Sequence, residues 1–182
     1  MCNITFHIQH QEAATRWPFE EYGTDGITKL ELALWKFAEE RNRQWSIFIN
    51  GLELPFEYEP DLTTIFNEIP EVLELLLKEN EEPAILDFFE QGTSIVLSMK
   101  RKNDIIWVEF QKTPPLTGKR FDHLPEEPQP ILVRDFYEAW FQFLDEILKM
   151  LTRQEHNLET DLSYIYYISR INKIREKFQL SF

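Results

Sequence analysis

The sequence predicts an α+β fold: one domain over residues 1–182, with an antiparallel sheet of about five to six strands and three to four helices. Three observations predict it. Asn50-Gly51 stands between two apolar-alternating runs, which marks a hairpin because both central residues of that turn need positive φ. Three short β-patterned runs follow one another between residues 85 and 110. A long amphipathic helix then occupies about 132–154, with Val133, Phe136, Tyr137, Trp140, Phe143, Leu144, Ile147, Leu148 and Leu151 at helical spacing.

The remaining elements fall into place around these. Ile4, Phe6 and Ile8 alternate with Thr5, His7 and Gln9, the period of a half-buried strand. Residues 10–27 read as irregular, with Trp17-Pro18-Phe19 and the turn formers Gly23, Asp25 and Gly26. Thr28 and Glu31 match a capping box, and Leu30, Leu34, Phe37 and Ala38 continue a helix to about 42. Trp45, Ile47 and Ile49 lead into the Asn50-Gly51 turn, and Leu52, Leu54, Phe56 and Tyr58 lead out of it. Pro55 lacks an N–H to give a ladder, so the return strand belongs at a sheet edge.

Pro60-Asp61 opens a helical stretch that Pro70 breaks, and Pro70 can begin the next helix, with Val72, Leu73, Leu75, Leu76 and Leu77 on it. The meander strands run over 85–89, 93–100 and 105–110, with Arg101-Lys102-Asn103-Asp104 as the turn between the last two. Residues 112–130 hold five of the ten prolines, which reads as a functional loop or an extended strap rather than a domain boundary. Over 158–178, Tyr164, Ile168, Ile171 and Phe178 fit a helix against the strand propensity of the Tyr164–Ile168 run, and helix is favoured.

Composition excludes several functions. Nineteen Lys and Arg stand against 32 Asp and Glu, a formal charge of −13 and a pI near 4.8. Phosphate binding needs clustered cations, so nucleic acid is not expected as a partner, nor is an anionic membrane surface. The lone Cys2 permits no internal disulfide and no cysteine-based zinc site. The start lacks a basic region and a long apolar run, and Ile131–Leu151 carries six charges, so a cytoplasmic chain without a membrane span is expected. Five glycines leave little room for a phosphate loop, and there is no Gly-x-Ser-x-Gly elbow. His7 and His10 lie three apart on a strand and point to opposite faces, a poor metal pair. No cofactor or metal is expected, and no catalytic residue stands out. Sequence gives the number of carboxylates but not the separation that acid–base chemistry requires.

The charge is unevenly spread. Residues 52–90 hold twelve acids and one base, a net of −11, whereas 98–120 carry +4 and 162–182 carry +3. An acidic stretch of this kind is either a solvated face that keeps an apolar protein soluble or a surface that docks a basic partner. The candidate partner-binding residues are Glu53, Glu57, Glu59, Asp61, Glu68, Glu71 and Glu74. Glu53, Glu57 and Glu59 share strand parity, and Glu71 and Glu74 lie one helical turn apart. Trp35, Trp45, Trp107 and Trp140 fall on apolar-patterned elements and are expected in the core. Trp17 and Phe19 are secondary candidates, as an anchor for their loop or as an aromatic contact to a partner.

The run Leu86-Asp87-Phe88-Phe89-Glu90-Gln91-Gly92, then Ser94–Lys100, then Asp104–Phe110, then a proline-containing loop and a helix opening Val133-Arg134-Asp135-Phe136-Tyr137-Glu138-Ala139-Trp140, resembles the immunity proteins encoded beside bacterial polymorphic toxins of the contact-dependent and Rhs types. The resemblance covers about residues 84–151 and is a pattern of elements without an invariant signature. It implies a non-enzymatic inhibitor that binds one cognate toxin domain and occludes its active site. Such families share no catalytic residues, and none is carried over. Two other readings stand beside it. One is an inhibitor that mimics nucleic acid with its carboxylates and so competes with DNA or RNA for many basic proteins. The other is a carboxylate-dependent enzyme, which a deep pocket with perturbed carboxylates would favour.

Overall fold

The computed structural model describes residues 3–8, 26–39, 44–79, 81–88, 95–112 and 121–180, with the side chains of 59 and 60 left out. In chain order these form β1 (Ile4–Ile8), α1 (Lys29–Glu39), β2 (Gln44–Ile49), β3 (Leu52–Glu57), a π-helical turn (Tyr58–Leu62), the short α2 (Thr63–Ile65), α3 (Ile69–Leu75), β4 (Ala84–Phe88), β5 (Ile95–Lys102), β6 (Ile105–Lys112), β7 (Gln129–Leu132), α4 (Val133–Gln154), a 3-10 turn (Leu158–Thr160) and α5 (Leu162–Gln179). The α+β class is as the sequence indicates. The strands do not form one sheet, however: β1-β2-β3 make one antiparallel sheet and β4-β5-β6-β7 a second.

Local chemistry explains most boundaries. The capping box is present in full: the Glu31 carboxylate accepts from the Thr28 N–H at 2.8 Å, and the Thr28 hydroxyl accepts from the Glu31 N–H at 3.2 Å. The β2–β3 turn puts Asn50 at φ 52° and Gly51 at φ 85°, as that turn requires. Pro55 sits on β3, an edge strand opposite Ser46, where its missing N–H costs no ladder bond. Pro70 occupies the first turn of α3. The β5–β6 turn is tighter than the spacing suggests. Arg101 and Lys102 remain paired in the ladder, and only Asn103 and Asp104 turn, Asn103 at φ 54°.

Strand β7 is the element the sequence conceals. It lies in the proline-rich stretch, and its Pro130 pairs opposite Trp107 at the edge of the second sheet, where proline is tolerated. The C-terminal segment is helical: Asp161 caps α5 by accepting from the Ser163 N–H at 2.9 Å, and it also accepts from the Ser163 hydroxyl.

Buried residues from Ile4 to Phe178 belong to a single core. Aromatic rings join its parts. Phe56 of β3 stacks on Phe88 of β4 at 4.2 Å, which links the two sheets. Phe143 of α4 stacks on Phe6 at 4.6 Å and on Trp45 at 5.0 Å. Tyr137 of α4 stacks on Phe178 of α5 at 4.6 Å, and its hydroxyl donates to the Leu73 carbonyl at 2.6 Å. Trp45 and Trp140 are core residues, but Trp35 and Trp107 are 43% and 39% exposed, contrary to the expectation for them. The reason is parity. Leu30, Ala33, Leu34, Phe37 and Ala38 fill the inner face of α1, and Ile106, Val108 and Phe110 take the inner positions of β6. Each tryptophan is left on the wet side.

Candidate functional site

The acids of 52–90 separate into three settings. Glu53 and Glu57 alternate with Leu54 and Phe56 along β3, so both project from the outer face of the first sheet while the apolar pair enters the core. The Glu53 carboxylate accepts from the Ser46 hydroxyl at 2.9 Å. Phe48, opposite Glu53 in the ladder, lies against the His7 ring at 4.5 Å on the same outer face. The side chain of Glu59 lies outside the described residues.

Asp61 is not a surface residue. It is 2% exposed, and its Oδ2 accepts from the Glu57 N–H at 2.7 Å. The π-helical turn folds it back beneath the end of β3, so this carboxylate shapes the chain and is not presented to a partner. Its place among the candidate binding residues is corrected accordingly.

Helix α3 carries the third setting. Glu71 and Glu74 lie beside each other one turn apart, both exposed, and Glu68 precedes them at the N-cap. Burial, together with the charges of Asp87 on β4 and Glu71, raises the Glu68 pKa above the usual carboxylate value. Glu74 has the opposite fate. The Lys177 ammonium donates to it at 2.8 Å, and this bond, with the nearby charges of Arg170 and Lys173, lowers its pKa.

Charge segregated along the sequence is therefore partly cancelled in space. The basic tail lies on α3, where Lys177 holds Glu74, and Arg175 pairs with Asp145 of α4 at 2.9 Å. The basic stretch after residue 98 also turns inward at one point. The Arg101 guanidinium donates to the Leu77 carbonyl at 2.6 Å and to the Leu76 carbonyl at 3.4 Å, the free carbonyls at the end of α3. Glu79 accepts from the Asn103 N–H at 2.6 Å. Glu53, Glu57, Glu68, Glu71 and Asp87 have no ion pair among the described residues. Asp87 was visible only as one of twelve acids. Its approach to Glu68 depends on α3 packing beside β4, which no local pattern encodes.

Trp17 and Phe19 lie outside the described residues. Two exposed apolar features escape a reading based on periodicity. Ile85, Trp107 and Leu132 are 46%, 39% and 45% exposed on the outer face of the second sheet, and Leu162, Ile165 and Tyr166 form an exposed patch at the start of α5. A depression of about 350 Å3 is lined by Asp145, Glu146, Lys149, Met150 and Arg153 of α4, with mixed charge. Among the described residues no group of three His, Cys, Asp or Glu side chains could hold a metal ion, and no helix is long and apolar enough to cross a membrane. Comparison with protein-family models, with curated proteins and with solved structures gives no match for this chain.

Proposed function

We propose that this protein is a non-enzymatic inhibitor of the immunity-protein type, which binds a cognate bacterial toxin domain in the cytoplasm and occludes its active site. The observation that carries the reading is the set of carboxylates without an ion pair among the described residues: Glu68 near Asp87 and Glu71, with Glu53 and Glu57 on the outer face of β3. Like charges held together cost free energy, and a cationic surface docked over them relieves that cost. A field of one sign also speeds encounter with a basic partner and disfavours others. The resemblance of residues 84–151 to immunity proteins supports the same reading.

The test is protection in a bacterial host that co-expresses the effector domain encoded beside this chain. Wild-type protein is expected to restore growth. The combination Glu53→Gln, Glu57→Gln, Glu68→Gln and Glu71→Gln is expected to reduce protection without lowering the melting temperature, because exposed acids contribute little to stability. Undiminished protection by this variant contradicts the proposal. A nucleic-acid mimic is distinguished by competition: DNA or RNA would displace it from many basic proteins, whereas an immunity protein binds one.

A further inference from the structure

In an antiparallel strand the N–H and C=O groups of alternate residues face opposite neighbours, so the register shows what each sheet edge offers. In the first sheet the Asn50 N–H donates to the Asn3 carbonyl at 2.9 Å, so Asn50 faces β1 and, by alternation, Glu53, Pro55 and Glu57 of β3 face outward. Pro55 has no N–H, the Glu57 N–H is held by Asp61 at 2.7 Å, and the Glu53 carbonyl meets the His123 ring at 3.1 Å. In the second sheet the Val133 N–H donates to the Asp104 carbonyl at 2.9 Å, which turns Ile106 and Val108 toward β7 and Pro130 outward. Pro130 also lacks an N–H, and its carbonyl accepts from Asn50 at 3.1 Å. Proline and side chains thus blunt the edges of β3 and β7, a common guard against strand addition.

The edge of β4 differs. The same register turns Ala84, Leu86 and Phe88 toward β5 and Ile85 and Asp87 outward. The outward N–H and C=O groups of these two residues make no hydrogen bond among the described residues, and both side chains are exposed. Buried backbone groups are almost always paired, so these face water. Pro83 ends the open stretch on one side. Burial, with the charges of Asp87 and Glu71, raises the Glu68 pKa, which places Asp87 near the start of α3. Open backbone groups and acids without an ion pair therefore meet at one edge. The outward positions of β1 are Ile4, Phe6 and Ile8, which pack on the core and bring no charge.

We infer that β4 takes an extended segment of the toxin partner as an added strand, with a Lys or Arg opposite Asp87 and an apolar residue two positions away opposite Ile85. The inference rests on the inhibitor reading above and names where part of that partner docks. Main-chain bonds to Ile85 and Asp87 hold such a strand, and alternate side chains give it specificity. Residues opposite one another on paired strands have Cβ atoms about 5 Å apart on the same face, so a cation opposite Asp87 reaches its carboxylate. A second copy of this chain fits poorly. Pairing β4 antiparallel with itself through the open groups sets Ile85 opposite Asp87 and brings the two Asp87 residues to about 7–8 Å on the diagonal, with no cation between them.

Backbone amide exchange followed by NMR tests this, with the effector domain encoded beside this chain as the probe. The Ile85 and Asp87 amides are expected to exchange fast in the free protein and at least roughly tenfold more slowly in the complex. Ile85→Pro removes the outward donor without touching the ladder to β5, as Pro55 and Pro130 do on their strands, and should weaken binding roughly tenfold or more. Ile85→Ala keeps the N–H and should retain most of the affinity, with circular dichroism to confirm both folds. A wild-type complex in which the two amides exchange as in the free protein overturns the inference, and so does a folded Ile85→Pro that binds like wild type. In either case the domain still binds, and the inhibitor reading stands. Slow exchange produced by raising the concentration of the free protein alone assigns the edge to a second copy and also overturns the inference. A domain that does not bind at all removes both readings.

Discussion

Trp140 lies at the centre of the core, 1% exposed, with its ring edge-on to Phe6 at 4.7 Å and to Phe143 at 5.9 Å. Trp140→Ala should cost about 3–5 kcal/mol, the usual range for a large buried aromatic. Its Nε1 donor has no acceptor among the described residues. Trp140→Phe should cost clearly less than Ala, because phenylalanine keeps most of the buried ring and the loss of an unpaired buried donor offsets about 1–3 kcal/mol of what packing remains lost. Urea denaturation of the two variants checks the order, and a Phe variant that loses as much as the Ala variant would contradict it.

Asn50 acts at the same scale but joins elements. Its Oδ1 accepts from the Asn3 N–H at 2.9 Å, and its Nδ2 donates to the Pro130 carbonyl at 3.1 Å, so one side chain at positive φ ties β1 and the β2–β3 turn to β7. Asn50→Ala should cost about 2–3 kcal/mol from two lost hydrogen bonds and the left-handed backbone, and Asn50→Gly less, because glycine relieves the backbone part. The denaturation midpoints give both values. The Asn50-Gly51 turn was legible in the sequence because its chemistry is local. The bond to Pro130 was not, because its partner lies 80 residues away.

Elements were legible where adjacent residues decide them and obscure where a distant partner does. The Thr28–Glu31 cap, the proline at the start of α3 and the apolar stripe of α4 are local, and each stands where the pattern puts it. Strand β7 and the π-helical turn at 58–62 are not local. Pro130 is acceptable in β7 because one edge lacks a neighbouring strand, and the turn buries Asp61 where charge alone suggests exposure. Helix α3 yields a pH prediction. The Glu68 pKa is raised in the fold, so the folded state binds the proton more tightly than the unfolded chain, and stability falls as pH rises through the titration of this group. Glu68→Gln should thus raise the stability slightly at pH 7, by no more than about 0.5 kcal/mol for so exposed a group, and should do nothing below the carboxylate range. Calorimetry at the two pH values decides it. A loss of stability at neutral pH would show that Glu68 has a cationic partner.

Over the whole molecule, the charge pattern of the sequence overstates the acidic field. Lys177 on Glu74 and Arg175 on Asp145 place the basic tail against acids, and Arg101 faces the carbonyl end of α3. The segment net of −11 gives the number of acids in this stretch, but which carboxylates stay without an ion pair among the described residues depends on how α5 and β4 lie against α3. Those that remain, on β3 and around the start of α3, make the proposed docking surface. The most direct measurement is the association rate between this protein and the proposed toxin partner across a salt series, for wild type and for the variant carrying Glu53→Gln, Glu57→Gln, Glu68→Gln and Glu71→Gln. Charges on the two surfaces are screened beyond about 8 Å at physiological ionic strength, so the wild-type on-rate should fall steeply as salt rises. The variant should associate roughly tenfold more slowly at low salt and show a shallower salt dependence. An on-rate independent of salt, with the variant binding like wild type, would contradict the account and leave the acidic face as a solubility device.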